Sequence, residues 1–184
     1  PPVALENGAV SKPFELMVDL VGRPTYGTFD PTMLMMITFP MIYGLILGDF
    51  GYGLIILLLG MWLGTKPFAA DPVAKNGITI LKWMGVWCII WGLLFAEGFG
   101  FVWDEAWSPL DGLYVWTYDN IHFPAFVAET LNMANTHIPF HRATGALQDY
   151  VLLSVYLGVV HIMLGFIIGF VNVARAHGIV PAFF

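Results

Sequence analysis

Three ionisable side chains stand alone in long apolar surroundings, and any chemistry this sequence performs has to begin with them. Asp49 lies near the centre of DPTMLMMITFPMIYGLILGDFGYGLIILLLGMWLG (residues 30–64), Glu97 in LLFAEGFGF, and His161 midway along the apolar run 150–173. A polar or charged group in such a setting either handles a proton or ion or has its atoms tied down by hydrogen bonds, because leaving it bare is costly. For Asp49 both readings stand, an ion or proton site and a hinge aspartate whose carboxylate caps exposed backbone donors, and the hinge is preferred. Glu97, followed by Gly98 and Gly100, serves equally as the lining of an outer aqueous vestibule or as a solvated carboxylate at a helix end, with no partner evident nearby. His161 is a functional candidate by depth alone, and the preferred alternative is a neutral imidazole bonded across helices.

Other constellations do not assemble. His122, His137 and His141 share one loop, and the last two have the spacing of metal ligands on a helix, but Pro139 between them argues against that helix. The tripeptide Asp49-Phe50-Gly51 lacks the soluble two-lobed domain and catalytic loop that a kinase needs. There is no serine nucleophile elbow, no phosphate-cradling glycine loop and no second deep histidine for haem. No catalytic residue, metal or cofactor is therefore expected. A second hypothesis is a small membrane redox or quinone-binding protein that uses His161 and a tryptophan stripe.

The elements that position these residues follow from length. A single helix from Met33 to Gly64 would run roughly 48 Å against a hydrocarbon core of about 30 Å. Two short helices, 33–48 and 50–64, hinged at Asp49, fit better and form a hairpin. Pro40 should kink the first arm. Gly44 with Gly48, and Gly60 with Gly64, have the small-xxx-small spacing that lets helices approach closely. A third span is expected at 78–99, where Trp83, Trp87 and Trp91 make one stripe read as packing or lipid contact, and a fourth at 150–173. Ahead of them, residues 1–31 hold an amphipathic helix at 11–21, with Ser11 as its N-cap and Gly22 ending it. That helix would lie on the bilayer or against a soluble domain. Residues 65–77 form a polar linker, 100–148 an outer loop rich in aromatics and acids (Trp103, Asp104, Glu105, Trp107, Asp111, Tyr114, Trp116, Tyr118, Asp119), and 176–184 a tail.

Composition agrees with a membrane protein. Of 184 residues 58% are hydrophobic and 11% charged, against about a quarter charged in soluble domains. The net charge of −6 comes with no basic run that would suggest nucleic acid. The single cysteine, Cys88, excludes an internal disulfide and reads as a buried, unreactive thiol. Nothing at the start resembles a signal peptide, and the chain reads as a piece of a longer polypeptide. With four spans, Lys12, Arg23, Lys66, Lys75, Lys82 and Arg175 fall on one side and Arg142 alone on the other, so both ends are expected to be cytoplasmic. The fold class expected is an all-α membrane protein with four transmembrane helices.

Six stretches stand in this order: Pro24-Thr25-Tyr26, Asp30-Pro31-Thr32, ITFP at 37–40, GDFGYG at 48–53 (with Gly51 and Gly53), GLLFAEGFG at 92–100, and GVVHIMLGFIIG at 158–169 (with Gly165 and Gly169). Together they resemble one family, the membrane stator subunit of rotary ATPases, called subunit a in vacuolar-type and subunit I in archaeal and bacterial A/V-type enzymes. The resemblance implies a part in proton or sodium transport beside a rotating proteolipid ring, with peripheral-stalk subunits and the rest of the same subunit as partners. ATP would be handled elsewhere. The family's essential arginine belongs to later helices, so the resemblance assigns that role to no residue here, Arg142 and Arg175 included. For Asp49, Glu97 and His161 it implies structure more firmly than chemistry, and scaffolding of the half-channels is the expected work.

Overall fold

The computed structural model describes residues 5–24, 27–102, 111–133, 136–137, 142 and 147–178, and it is mostly helical. Thr25, Tyr26, the stretch 103–110 with Trp103, Asp104, Glu105 and Trp107, and His141 lie outside the described residues. Two helices are long and apolar enough to cross a membrane, α4 (Pro72–Phe95) and α7 (Leu147–His177). Two shorter apolar helices, α2 (Thr32–Leu47) and α3 (Phe50–Leu63), precede them.

The first helix, α1 (Glu15–Val21), is entered through a 3-10 turn at Lys12–Phe14 and ends at Gly22, whose φ of 126° is open to glycine. Ser11 does not cap it, contrary to the sequence expectation. Pro13 has no N–H to offer, and the Phe14 N–H is taken by the Ser11 carbonyl at 2.9 Å, so no donor is left for the hydroxyl. Phe14 and Val18 are fully buried against α2 and α4. The apolar face of α1 is thus spent on this chain's own helices, while Leu20 and Val21 stay exposed.

Between α2 and α3 only Gly48 and Asp49 are non-helical, and Gly48 takes the left-handed conformation (φ 46°) that stops α2. The two arms flank a third helix. α4 lies antiparallel to α3, and α2 packs on it in the same direction as α4 itself. Glycines make this possible. A Cβ on Gly53 would stand 2.7 Å from the Ile89 nitrogen, one on Gly85 2.8 Å from the Leu57 nitrogen, and one on Gly44 2.6 Å from the Trp87 carbonyl carbon. Gly92 meets the Asp49–Phe50 backbone more closely still. Gly60 faces Lys82, and Gly51 lies under the Phe99 ring. Gly165 and Gly169 have nothing within 4 Å of a would-be Cβ among the described residues, so they mark no helix contact here.

Helix boundaries depart from the sequence expectation in three places. Asp71 caps α4 by accepting the Ala74 N–H at 2.9 Å with Pro72 at the first helical position, so α4 begins six residues before Ile78 and the linker shrinks to a short 3-10 turn at Pro67–Ala70. It stops at Phe95, because Ala96 turns left-handed (φ 52°) and leads into a hairpin of β1 (Glu97–Gly98) and β2 (Phe101–Val102). α7 starts before and ends after 150–173, with Asp149 in its first turn and Arg175 and His177 in its last, charges that suit the helix dipole. The stretch 100–148, expected to be a loop, also contains helices of its own, α5 (Asp111–Asn120) and α6 (Ala125–Leu131).

α7 runs antiparallel to α2. At one end Leu153 packs with Leu45 and Phe95, and at the other the Asn172 side chain accepts the Phe29 N–H at 2.9 Å. Most of its apolar surface is covered by nothing among the described residues. Of the tryptophan stripe, Trp91 donates its indole N–H to the Met41 carbonyl at 3.0 Å and stacks on Phe95, a packing contact between α4 and α2.

Candidate functional site

A helix that ends leaves carbonyls without donors, and one that begins leaves N–H groups without acceptors; here both kinds of end meet at Gly48–Asp49. Asp49 serves the start of α3. Its carboxylate accepts the Tyr52 N–H at 2.9 Å as an N-cap, and it also accepts Phe99 N–H at 2.9 Å and Gly100 N–H at 2.7 Å from the β1–β2 turn. The side chain's neighbourhood is closed: Asp49 is 2% exposed. Three backbone donors and the positive end of the α3 dipole meet at the Asp49 side chain, and no salt bridge to it forms among the described residues.

The turn that supplies two of those donors is itself held in an unusual backbone state. Phe99 (φ 55°) and Gly100 (φ 78°) both have positive φ, the pair of conformations a two-residue hairpin turn needs. For phenylalanine this costs roughly 1 kcal/mol or more. Asp49 compensates by binding both N–H groups, and the Phe99 ring sits over Gly51 and edge-on to Tyr52 at 6.1 Å between centroids.

Arg142 serves the end of α2. Its guanidinium donates to the carbonyls of Leu47 at 2.7 Å, Ile46 at 3.0 Å and Leu45 at 3.4 Å, which α2 leaves unbonded. It also grips Glu97, with Nε 3.0 Å from Oε2 and Nη2 2.9 Å from the same oxygen. Phe95 and Tyr150 bracket the cation, their ring centroids 5.0 and 5.7 Å from Cζ. The ion pair is mostly enclosed, the side chains being 18% (Arg142) and 10% (Glu97) exposed. Burial works against the guanidinium's charge, but the Glu97 carboxylate outweighs it and holds the Arg142 pKa above its ordinary value.

So the structure brings Asp49 and Glu97 to one end of the helix bundle, joined through the β1–β2 hairpin, and adds Arg142, which sequence reasoning had set aside. Two signals pointed to it. Arg142 is the lone basic residue on its side in the charge count, and Glu97 was a lone acid at a helix end.

His161 is elsewhere. It lies on the face of α7 turned to α2, in a cavity of about 260 Å³ lined by Met35, Thr38, Ile42 and Tyr43, and its Nδ1 is buried with no hydrogen-bond partner among the described residues. His137 pairs across the loop with His122, their rings 4.6 Å apart, and stacks on Tyr118 while its Nδ1 lies 2.9 Å from the Tyr118 carbonyl oxygen. Among the described residues no group of three or more His, Cys, Asp or Glu is placed to hold a metal. The Cys88 thiol is fully buried and donates to the Asp49 carbonyl at 3.2 Å, one more tie between α4 and the hinge.

Comparison with known proteins decides the family, since residues 1–121 match the V-type ATPase 116kDa subunit family. The chain belongs to that family. It is similar to "A-type ATP synthase subunit I" of Halobacterium salinarum, 30% identical over 182 residues that make up 99% of this chain and 23% of the relative. The protein of the same description from Archaeoglobus fulgidus is 31% identical over 185 residues, 99% of this chain and 26% of the relative. A bacterial member, "V-type ATP synthase subunit I 2" of Treponema pallidum, is 26% identical over 178 residues, 95% of this chain and 36% of the relative. The chain thus spans about a quarter to a third of the length of these relatives. Within the family match fall Asp49 and Glu97, while Arg142 and His161 lie beyond it.

Proposed function

We propose that this chain forms the first part of the membrane domain of a rotary ATPase stator subunit, where it acts as a scaffold that holds the wall of the outer half-channel beside the proteolipid ring. The ions moved would be protons or sodium, and peripheral-stalk subunits and the remainder of the same subunit would complete its contacts. The observation that carries the reading is the double lock at Gly48–Asp49: Asp49 holds the start of α3 and the β1–β2 turn, and Arg142 holds the end of α2 and Glu97. Each carboxylate is committed to fixed donors. That suits a frame that must stay still while a ring turns past it.

Four membrane crossings are part of the proposal. α2 and α3, with 16 and 14 residues, reach about 24 and 21 Å, somewhat short of a hydrocarbon core of about 30 Å, and local thinning would make up the rest. The positive residues support an orientation with both ends cytoplasmic, because Arg142 alone lies at the hinge end of the bundle. In the full subunit with Cys88 replaced by alanine, cysteines placed at Tyr52, beside the hinge, and at Phe101 should be labelled from one side of a sealed vesicle and a cysteine at Lys66 from the other. Labelling of Tyr52 from the Lys66 side would remove the four-crossing arrangement.

The functional test is Asp49→Asn in the full subunit. An amide oxygen cannot serve three N–H donors as a carboxylate does, so the amount of assembled complex should fall while ion flux per assembled complex is retained. Normal assembly with lost flux would overturn the scaffold reading and make Asp49 part of the conducting path.

A further inference from the structure

We propose that the pocket at the N-terminal end of α4 binds the phosphate headgroup of an anionic phospholipid. The cavity, about 500 Å³, is built by segments far apart in sequence: Lys12 and Pro13 from the 3-10 turn before α1, Ala70 from the turn before α4, and Lys75, Asn76 and Thr79 from α4 itself. Among the described residues neither lysine has a carboxylate within 4.0 Å, and the Asn76 amide makes no hydrogen bond. Thr79 is committed to the Lys75 carbonyl at 2.9 Å, and the neighbouring acid, Asp71, is turned to the Ala74 N–H. Two lysines and an asparagine, all with unspent donors, therefore line one concavity. A phosphodiester, with one negative charge and unesterified oxygens as acceptors, matches that set.

The surroundings favour a lipid over a free anion. Val10, Phe68 and Val73 stand exposed around the same end of the bundle, so a ligand that carries both a charge and acyl chains meets complementary surface on each part. An adjoining pocket shares Ala70, Lys75 and Thr79 and adds Lys82. A general excess of positive charge on the cytoplasmic side does not by itself produce this geometry. Arg23 at the same end is paired with Asp19, and Lys66 lies over the Trp62 ring at 4.1 Å. The inference rests on the membrane orientation proposed above, whose own test is the sidedness of labelling; failure here with that sidedness intact removes the lipid site alone.

The experiment uses the full subunit in its assembled complex, in nanodiscs of phosphatidylcholine with or without a minor fraction of phosphatidylglycerol. Hydrogen exchange across 9–13 and 70–80 and the phosphatidylglycerol retained in native mass spectrometry are the readouts. Phosphatidylglycerol should slow exchange in both segments. At about fivefold for each lysine near an anionic lipid, Lys12→Gln with Lys75→Gln should lose roughly 25-fold in retention. The Lys12→Arg, Lys75→Arg pair should keep it, and so should Lys66→Gln. Equal losses per lysine removed in Lys66→Gln and in the glutamine pair would mean bulk surface charge and overturn the site. So would the same protection from inorganic phosphate in phosphatidylcholine discs, or protection there that depends on another subunit of the complex.

Discussion

Replacing Arg142 with methionine should destabilise the chain far more than neutralising its partner Glu97, although each change breaks the same ion pair. The methionine leaves the Glu97 carboxylate enclosed without its cation, and removes the donor to the carbonyls of Leu45, Ile46 and Leu47. An uncompensated buried charge costs about 3–5 kcal/mol, and the residual exposure of the pair puts the expected loss at the lower end, about 3 kcal/mol. Glu97→Gln leaves Arg142 with its backbone acceptors and an amide oxygen in place, so about 1–2 kcal/mol is expected. The double variant, with no buried charge stranded, should recover at least about 1 kcal/mol relative to Arg142→Met alone. Denaturant titration of the full subunit in detergent, followed by tryptophan fluorescence, measures all three. If Glu97→Gln costs as much as Arg142→Met, or if the two losses simply add, Arg142 is not the cap of α2 and the lock described above is wrong.

Three further outcomes follow from the packing and the electrostatics. Gly92→Ala forces a methyl into the Asp49–Phe50 backbone, which cannot yield as a flexible side chain would, and should lower stability by about 2–3 kcal/mol. Gly165→Ala, into open space, should raise it by up to about 1 kcal/mol through helix propensity, and a loss there in thermal melts of the full subunit would mean that another helix lies on that face. Acid should loosen the start of α2. Burial raises the Asp30 pKa, but the Thr32 hydroxyl, the Thr32 N–H and Asn7 outweigh it, and the carboxyl is held below its ordinary value. A depressed carboxylate contributes stability that is complete above the unfolded value of about 3.9 and is lost as pH falls through the folded one. Hydrogen exchange at 32–36 should therefore quicken below about pH 4, and Asp30→Asn should flatten that dependence.

Much of the frame was legible because it depends on short-range rules. The break at Gly48-Asp49 follows from helix length against bilayer thickness and from a glycine beside a capping residue, and both helices end within one or two residues of where those rules put them. The pairing of helices was less legible. Gly44 and Gly60 were singled out by spacing, whereas Gly85 and Gly92, where α3 meets α4, were not, because a glycine says that a neighbour can come close and not which neighbour does. Gly165 and Gly169 have the same spacing, and nothing among the described residues lies within 4 Å of a would-be Cβ there.

What the sequence by itself determined was the strongly apolar character, the positions of the four apolar helices and the three isolated ionisable groups, since hydrophobicity, caps and glycines act over a turn or two of chain. Only the tertiary structure decided what those groups do for one another. Glu97 and Arg142 belong to segments with no local relation, and so do Asp49 and the Phe99–Gly100 turn; their bonds form because α2, α3 and α4 pack with their ends at one level. The charges at the hinge are paired by the ends of helices, and an end finds its partner only after the bundle is assembled.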